Sequence, residues 1–117
     1  MRNSKAVHVD FGFLQGSIKN KPAVMPSNID MVLCRNGVRF LIGEWKHDTE
    51  EMPFAQKIIL KGLASKDNFT VLIIYGHSDE NSTEVNDFYV VRGDYMRRVG
   101  NGIEALKTYI NNWWDNY

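Results

Sequence analysis

The run Asn28-Ile29-Asp30-Met31-Val32-Leu33-Cys34-Arg35-Asn36-Gly37-Val38-Arg39-Phe40-Leu41-Ile42-Gly43-Glu44-Trp45-Lys46 decides the fold. Ile29 to Cys34 and Val38 to Trp45 read as two strands. Asn36-Gly37 between them is a strong hairpin signal, because both residues tolerate the positive φ that mirror-image turns demand. The hairpin carries one acid, Asp30, at the start of its first strand. Near the end of the second it carries an acid and a lysine two residues apart, Glu44 and Lys46. Two carboxylates can hold a hard divalent cation through oxygen. A nearby ammonium can steady a hydroxide or a developing phosphate charge. The combination points to metal-dependent cleavage of a phosphodiester.

The hairpin geometry sets a condition on this reading. Glu44 and Lys46 share a face because strand side chains alternate. A two-residue Asn36-Gly37 turn pairs Arg35 with Val38 and Asp30 with Gly43, which sends Asp30 to the opposite face. A three-residue loop, Arg35-Asn36-Gly37, pairs Cys34 with Val38 and Asp30 with Ile42, and brings Asp30, Glu44 and Lys46 together. Gly37 is then the left-handed residue of a bulge. A bulge elsewhere in the hairpin has the same effect, and the site requires a register of this second kind.

Working outward, Pro53 suits the first turn of a helix running to about Ser65. Its expected apolar face is Phe54, Ile58, Ile59 and Leu63, with Lys57, Lys61 and Lys66 outside. Phe69 to Tyr75 is a nearly continuous apolar strand ending at Gly76, expected to be central and covered on both faces. Asp87 to Val91 is a further strand, and Arg92, Arg97 and Arg98 flank a loop. Asn101 is expected to cap a last helix with Ile103, Leu106, Ile110 and Trp113 or Trp114 on its buried stripe. Before the hairpin, Phe11, Leu14 and Ile18 have helical spacing weakened by two glycines. Lys19 to Asn28 is a loop. The expected architecture is an α/β (α+β) layer design, a small mixed sheet flanked by helices, in a single domain over 1–117.

Composition narrows the class. The 117 residues suffice for one core, and 44% hydrophobic with 24% charged residues is ordinary for a globular protein. Fourteen basic and fourteen acidic residues cancel, which argues against a strongly basic nucleic-acid coat. The charges are unevenly spread, with basic residues favoured over 1–40 and acids concentrated in Asp48-Thr49-Glu50-Glu51 and from Asp79 to Asp87. No apolar run reaches the roughly 18–20 residues of a membrane helix, and no apolar stretch follows Met1-Arg2-Asn3-Ser4-Lys5 as a leader would require. Cys34 is the one cysteine and lies in an apolar run, so it is expected as a buried, reduced thiol. A cytoplasmic setting is expected, or host cytoplasm if the chain is phage-encoded.

The segment Pro26-Ser27-Asn28-Ile29-Asp30, then Glu44-Trp45-Lys46, then Gln56 resembles the PD-(D/E)XK nuclease superfamily, in the manner of its small phage-like and resolvase-like members. The likeness covers Pro26 to about Gly76, roughly half of the chain. It implies a restriction endonuclease-like core and a Mg²⁺-dependent deoxyribonuclease, with Mn²⁺ able to substitute. Asp30 and Glu44 are then metal ligands, with the backbone carbonyl of Trp45 completing the shell. Lys46 orients or activates the attacking water, and Gln56 supports the lysine or a phosphate. The product carries a 5′-phosphate. Many members have a further acid upstream; Asp10 is the available one here. DNA is the implied partner, and a homodimer suits so small a member.

Around this core, His47 is a candidate phosphate contact, and Lys57, Lys61, Arg35 and Arg39 are candidate DNA-backbone contacts. His8, Cys34, His47 and His77 lack zinc-ligand spacing. Gly12-Phe13-Leu14-Gln15-Gly16 lacks the ending of a phosphate loop. The alternatives are a catalytically inactive nuclease-fold module that binds nucleic acid or protein, and an unrelated α/β interaction domain in which Lys46 is simply the salt-bridge partner of Glu44.

Overall fold

The computed structural model describes residues 11–23, 26, 29–48 and 50–116. A short 3₁₀ turn, Phe11–Leu14, stands where helical spacing was weakest. The hairpin follows as β1 (Met31–Arg35) and β2 (Arg39–His47). Then come α1 (Phe54–Ala64), β3 (Phe69–Ser78), β4 (Thr83–Arg92), β5 (Tyr95–Asn101) and α2 (Ile103–Asp115). The five strands form one sheet in the order β1-β2-β3-β4-β5. All neighbours are antiparallel except β2 and β3, which are parallel and are joined by α1. A parallel pair needs such a crossover, because a tight turn cannot return the chain to the same end of the sheet. The result is a small α+β fold, a mixed sheet flanked by helices.

Alternation along the strands makes two cores. Leu41, Leu72, Ile74, Val85, Phe88 and Val90 are buried on one face, against Leu106, Tyr109, Ile110 and Trp113 of α2. Ile42, Val71, Ile73 and Val91 face the other way, against Leu60, Leu63 and Ala64 of α1. β3 supplies both faces, which is why its sequence is a continuous apolar run.

Several expectations need correction. The sheet has a fifth strand where the sequence pattern suggests a loop flanked by Arg92, Arg97 and Arg98. Tyr95–Asn101 pairs with β4 along the sheet edge. An edge strand tolerates charge and lacks clean apolar alternation, so its pattern is weak. The last helix begins at Ile103 with Gly102 at its cap, while Asn101 ends β5. Of the two tryptophans, Trp113 is the buried one and Trp114 is exposed. The α1 stripe is also rotated from the expected face. Phe54, Ile58 and Ile59 are exposed, whereas Leu60 is buried and Leu63 and Ala64 pack on the sheet. Gln56, Leu60, Leu63 and Ala64 follow i, i+4, i+7, i+8 spacing, and the polar first member of that stripe disguises it. Cys34 is exposed; it sits on the face of the edge strand β1 away from α2, and its Sγ accepts the Gly37 N–H at 3.1 Å.

The hairpin register decides the site. Asn36 and Gly37 have φ of 57° and 72°, and Val38 N–H donates to the Arg35 carbonyl at 3.1 Å. This is the tight turn that Asn-Gly favours. The ladder, however, pairs Arg35 with Arg39 and runs to Met31 opposite Gly43. Val38 is therefore an extra residue on the β2 side. Neither of the two registers considered from the sequence is formed, but the parity is that of the second. Packing explains the choice: Met31 and Leu33 must join Leu41 on the α2 face, and an unshifted turn would place them on the other.

Candidate active site

Asp30 precedes β1, and the pair Met31–Gly43 leaves it level with Glu44 on the α1 face. Its Oδ2 accepts the Trp45 N–H at 2.8 Å. Glu44 and Lys46 follow on that face of β2 and are, among the described residues, the two charged side chains that are buried. Gln56, in the first turn of α1, donates from Nε2 to Glu44 Oε1 at 2.5 Å. The other Gln56 atom, Oε1, is buried without a hydrogen-bond partner. The structure thus brings Asp30, Glu44, Lys46 and Gln56 together.

The lysine is shared. Its Nζ lies 4.0 Å from Glu44 Oε1 and 3.4 Å from Glu50 Oε2. Burial raises the Glu44 pKa from 4.5 to about 7, and the neighbouring Asp30 carboxylate adds to the rise. The Gln56 hydrogen bond and the Lys46 charge only partly oppose it. A carboxylate that is buried beside another carboxylate is short of positive charge. Hard oxygen donors, an uncompensated pair of acids and an orphaned amide oxygen are the chemistry that a divalent cation such as Mg²⁺ satisfies. Among the described residues no group of three His, Cys, Asp or Glu side chains converges, so any cation held here would rely on two carboxylates plus backbone or solvent oxygen.

The remaining candidates are distributed around this centre. Trp45 directs its indole to the α2 face, against Gly76. His47 ends β2, exposed, and its backbone N–H donates to Glu50 Oε1 at 3.0 Å. Lys57 is exposed on α1, one residue beyond Gln56. Lys61 pairs with Asp94 at 2.7 Å, both at the surface. Arg35 and Arg39 are set apart from the carboxylates, on the α2 face. The Arg35 guanidinium lies 5.4 Å from the Trp114 ring centre, and that of Arg39 lies 5.2 Å from that of Trp113. Arg39 also donates to the Trp113 carbonyl at 3.0 Å. Their odd-numbered positions share a face with Leu33 and Leu41, and parity alone separates them from Glu44. Asp10 lies outside the described residues.

Glu50 and Tyr75 join the site without a motif in the sequence to mark them. Glu50 belongs to the acidic run after Lys46, and a turn returns it to the lysine, with its N–H on the His47 carbonyl at 2.9 Å. Tyr75 stands across from Lys46 in the β2–β3 ladder. Its ring meets Tyr89 edge-on, 5.7 Å between centres. Burial raises the Tyr75 phenol, helped by Tyr89 and by the Glu50 charge. The pairing of β2 with β3 is long-range, and only the acid run offered a local signal. Beyond these two residues a cavity of about 710 Å³ runs between α1 and the β4–β5 turn, past Phe54, Ile58, Tyr95 and Met96.

No protein-family model, curated protein or solved structure matches this chain.

Proposed function

We propose that this chain is a divalent-metal-dependent deoxyribonuclease that hydrolyses phosphodiester bonds, of the PD-(D/E)XK kind. The observation that carries the reading is the hairpin parity: one extra residue, Val38, sets Asp30 beside Glu44 on the face that also holds Lys46 and Gln56. Asp30 and Glu44 are the residues to hold Mg²⁺ or Mn²⁺, with the Trp45 carbonyl as a third oxygen. Such an ion, when bound, supplies charge stabilisation at the phosphate and a more acidic water. Asp30 is anchored by the Trp45 N–H at Oδ2, and its carboxyl lies within hydrogen-bonding reach of Glu44, so the two acids meet at one point. Gln56 orients Glu44 through its amide and keeps the carboxylate from rotating away. Lys46 presents an ammonium, held by two carboxylates, toward the negative charge that builds on the phosphate. The carboxylates repel a polyanion unless a cation screens them, so cleavage should require metal.

The test is cleavage of labelled linear duplex, single-stranded, flapped and four-way-junction DNA by wild type and Lys46→Ala, with Mg²⁺, Mn²⁺ or EDTA. Metal-dependent cutting by wild type alone is expected, and the preferred substrate separates end, flap and junction enzymes. Folded wild type that cuts none of these overturns the reading in favour of a binding module.

A further inference from the structure

We infer that Glu50 is a positioning residue of this site: it draws the Lys46 ammonium away from Glu44 and so leaves the Glu44 carboxylate open to a divalent cation. The inference rests on the metal-dependent reading above. Lys46 is nearly enclosed, with its side chain 7% exposed, and two acids compete for it. Its Nζ lies nearer to Glu50, at 3.4 Å, than to Glu44, at 4.0 Å. Glu50 is not a chance neighbour. Its Oε2 takes the ammonium while its Oε1 accepts the His47 N–H at 3.0 Å, and its own N–H closes the turn on the His47 carbonyl. Both carboxylate oxygens are therefore aimed from a turn that begins at the end of β2. Glu44, in contrast, has a neutral amide and the Asp30 carboxyl as its close partners.

Removing the Glu50 charge leaves Lys46 with one nearby acid in a poorly solvated site. Attraction between unlike charges grows as distance and dielectric fall, so the ammonium closes on Glu44 and forms a contact pair. That pair occupies an oxygen a metal would use and cancels part of the charge that attracts it. Loss of Glu50 thus weakens metal binding through Lys46, not through a lost ligand.

Calorimetric titration of metal-free protein with Mn²⁺ tests this, using wild type, Glu50→Gln, Lys46→Met and the Glu50→Gln/Lys46→Met double variant. Thermal unfolding of each confirms that it is folded. Glu50→Gln is expected to weaken Mn²⁺ binding on the order of tenfold. The double variant is expected to return to wild-type affinity or tighter, matching Lys46→Met. A general disturbance of the turn would not be rescued by a change at Lys46. Unaltered affinity in Glu50→Gln overturns the inference, and so does a double variant weaker than Lys46→Met by the factor that separates Glu50→Gln from wild type, which would make Glu50 a ligand or a simple electrostatic attractor. A folded wild type that binds no Mn²⁺ defeats the metal-dependent reading itself, and is distinguished from the other failures by appearing before any substitution is made.

Discussion

Replacing Glu44 with glutamine should stabilise the metal-free protein at neutral pH. The side chain keeps its size, and its carbonyl can still accept from Gln56, so the principal change is loss of a charge. Glu44 has a pKa near 4.5 in the unfolded chain and about 7 in the folded one, raised chiefly by burial and by Asp30. Between those values the unfolded chain has released the proton while the folded chain retains it. Unfolding then releases a proton, so stability falls as pH rises through this window. At roughly 1.4 kcal/mol per pH unit, the cost in wild type is under about 1 kcal/mol at pH 5 and about 3 kcal/mol at pH 8. Urea unfolding in EDTA at both pH values, on wild type and Glu44→Gln, measures it. The advantage of the variant should grow by about 2–3 kcal/mol from pH 5 to pH 8. Added Mg²⁺ should recover stability at pH 8 in wild type and much less in the variant, because a ligand stabilises the state that binds it. Parallel pH profiles for the two proteins would refute the reasoning, since they would mean that Glu44 ionises normally in the fold.

Three further outcomes follow from the packing. Deleting Val38 should leave the pairing of Arg35 with Arg39 intact as a plain two-residue turn. The Asn68 amide loses the Val38 carbonyl it donates to at 2.8 Å, so urea unfolding should shift by no more than about 1.5 kcal/mol and metal binding should persist. A loss of metal binding would show that the extra residue does more than set parity. Gly76→Ala should destabilise by at least about 1–3 kcal/mol in the same assay, because an added Cβ meets the Glu84 carbonyl oxygen and comes within 2.6 Å of the Trp45 indole. Leu60→Ala should cost about 2–5 kcal/mol, whereas Phe54→Ala, at a side chain 78% exposed, should stay within about 0.5 kcal/mol; the reverse order would restore the helix face expected from the sequence.

Where the sequence was informative, the signal was local. Asn36-Gly37 marks its turn because few other dipeptides accept two positive φ values. The apolar run at β3 announces a strand covered on both sides. The parity of β1 is different in kind. It depends on Met31 and Leu33 finding Leu41 and α2, which are contacts between distant segments, so the turn alone could not choose between faces. The phase of α1 was obscured for a related reason: its sheet-facing stripe opens with Gln56, a residue that belongs there through its bond to Glu44. β5 is not legible in the sequence because an edge strand with adjacent arginines carries no period. The wider basic set drew Arg35 and Arg39 toward the site on charge alone, and only strand parity shows that they serve α2.

The same parity bears on whether Glu44 and Lys46 are a structural ion pair. A pair kept for stability would place the ammonium in direct contact with its carboxylate, because desolvation is repaid only by close, well-satisfied geometry. Here Nζ stands 4.0 Å from Glu44 and closer to Glu50. The near partner of Glu44 is a neutral amide, and Asp30 brings a second negative charge to its side. Burial and the Asp30 charge make the Glu44 carboxylate costly, and the Gln56 hydrogen bond and the more distant Lys46 ammonium offset that only in part. An apolar residue at position 44 would continue the face begun by Ile42 and remove that cost. Two acids brought together under burial work against stability, and that cost is what the proposed cation site would offset.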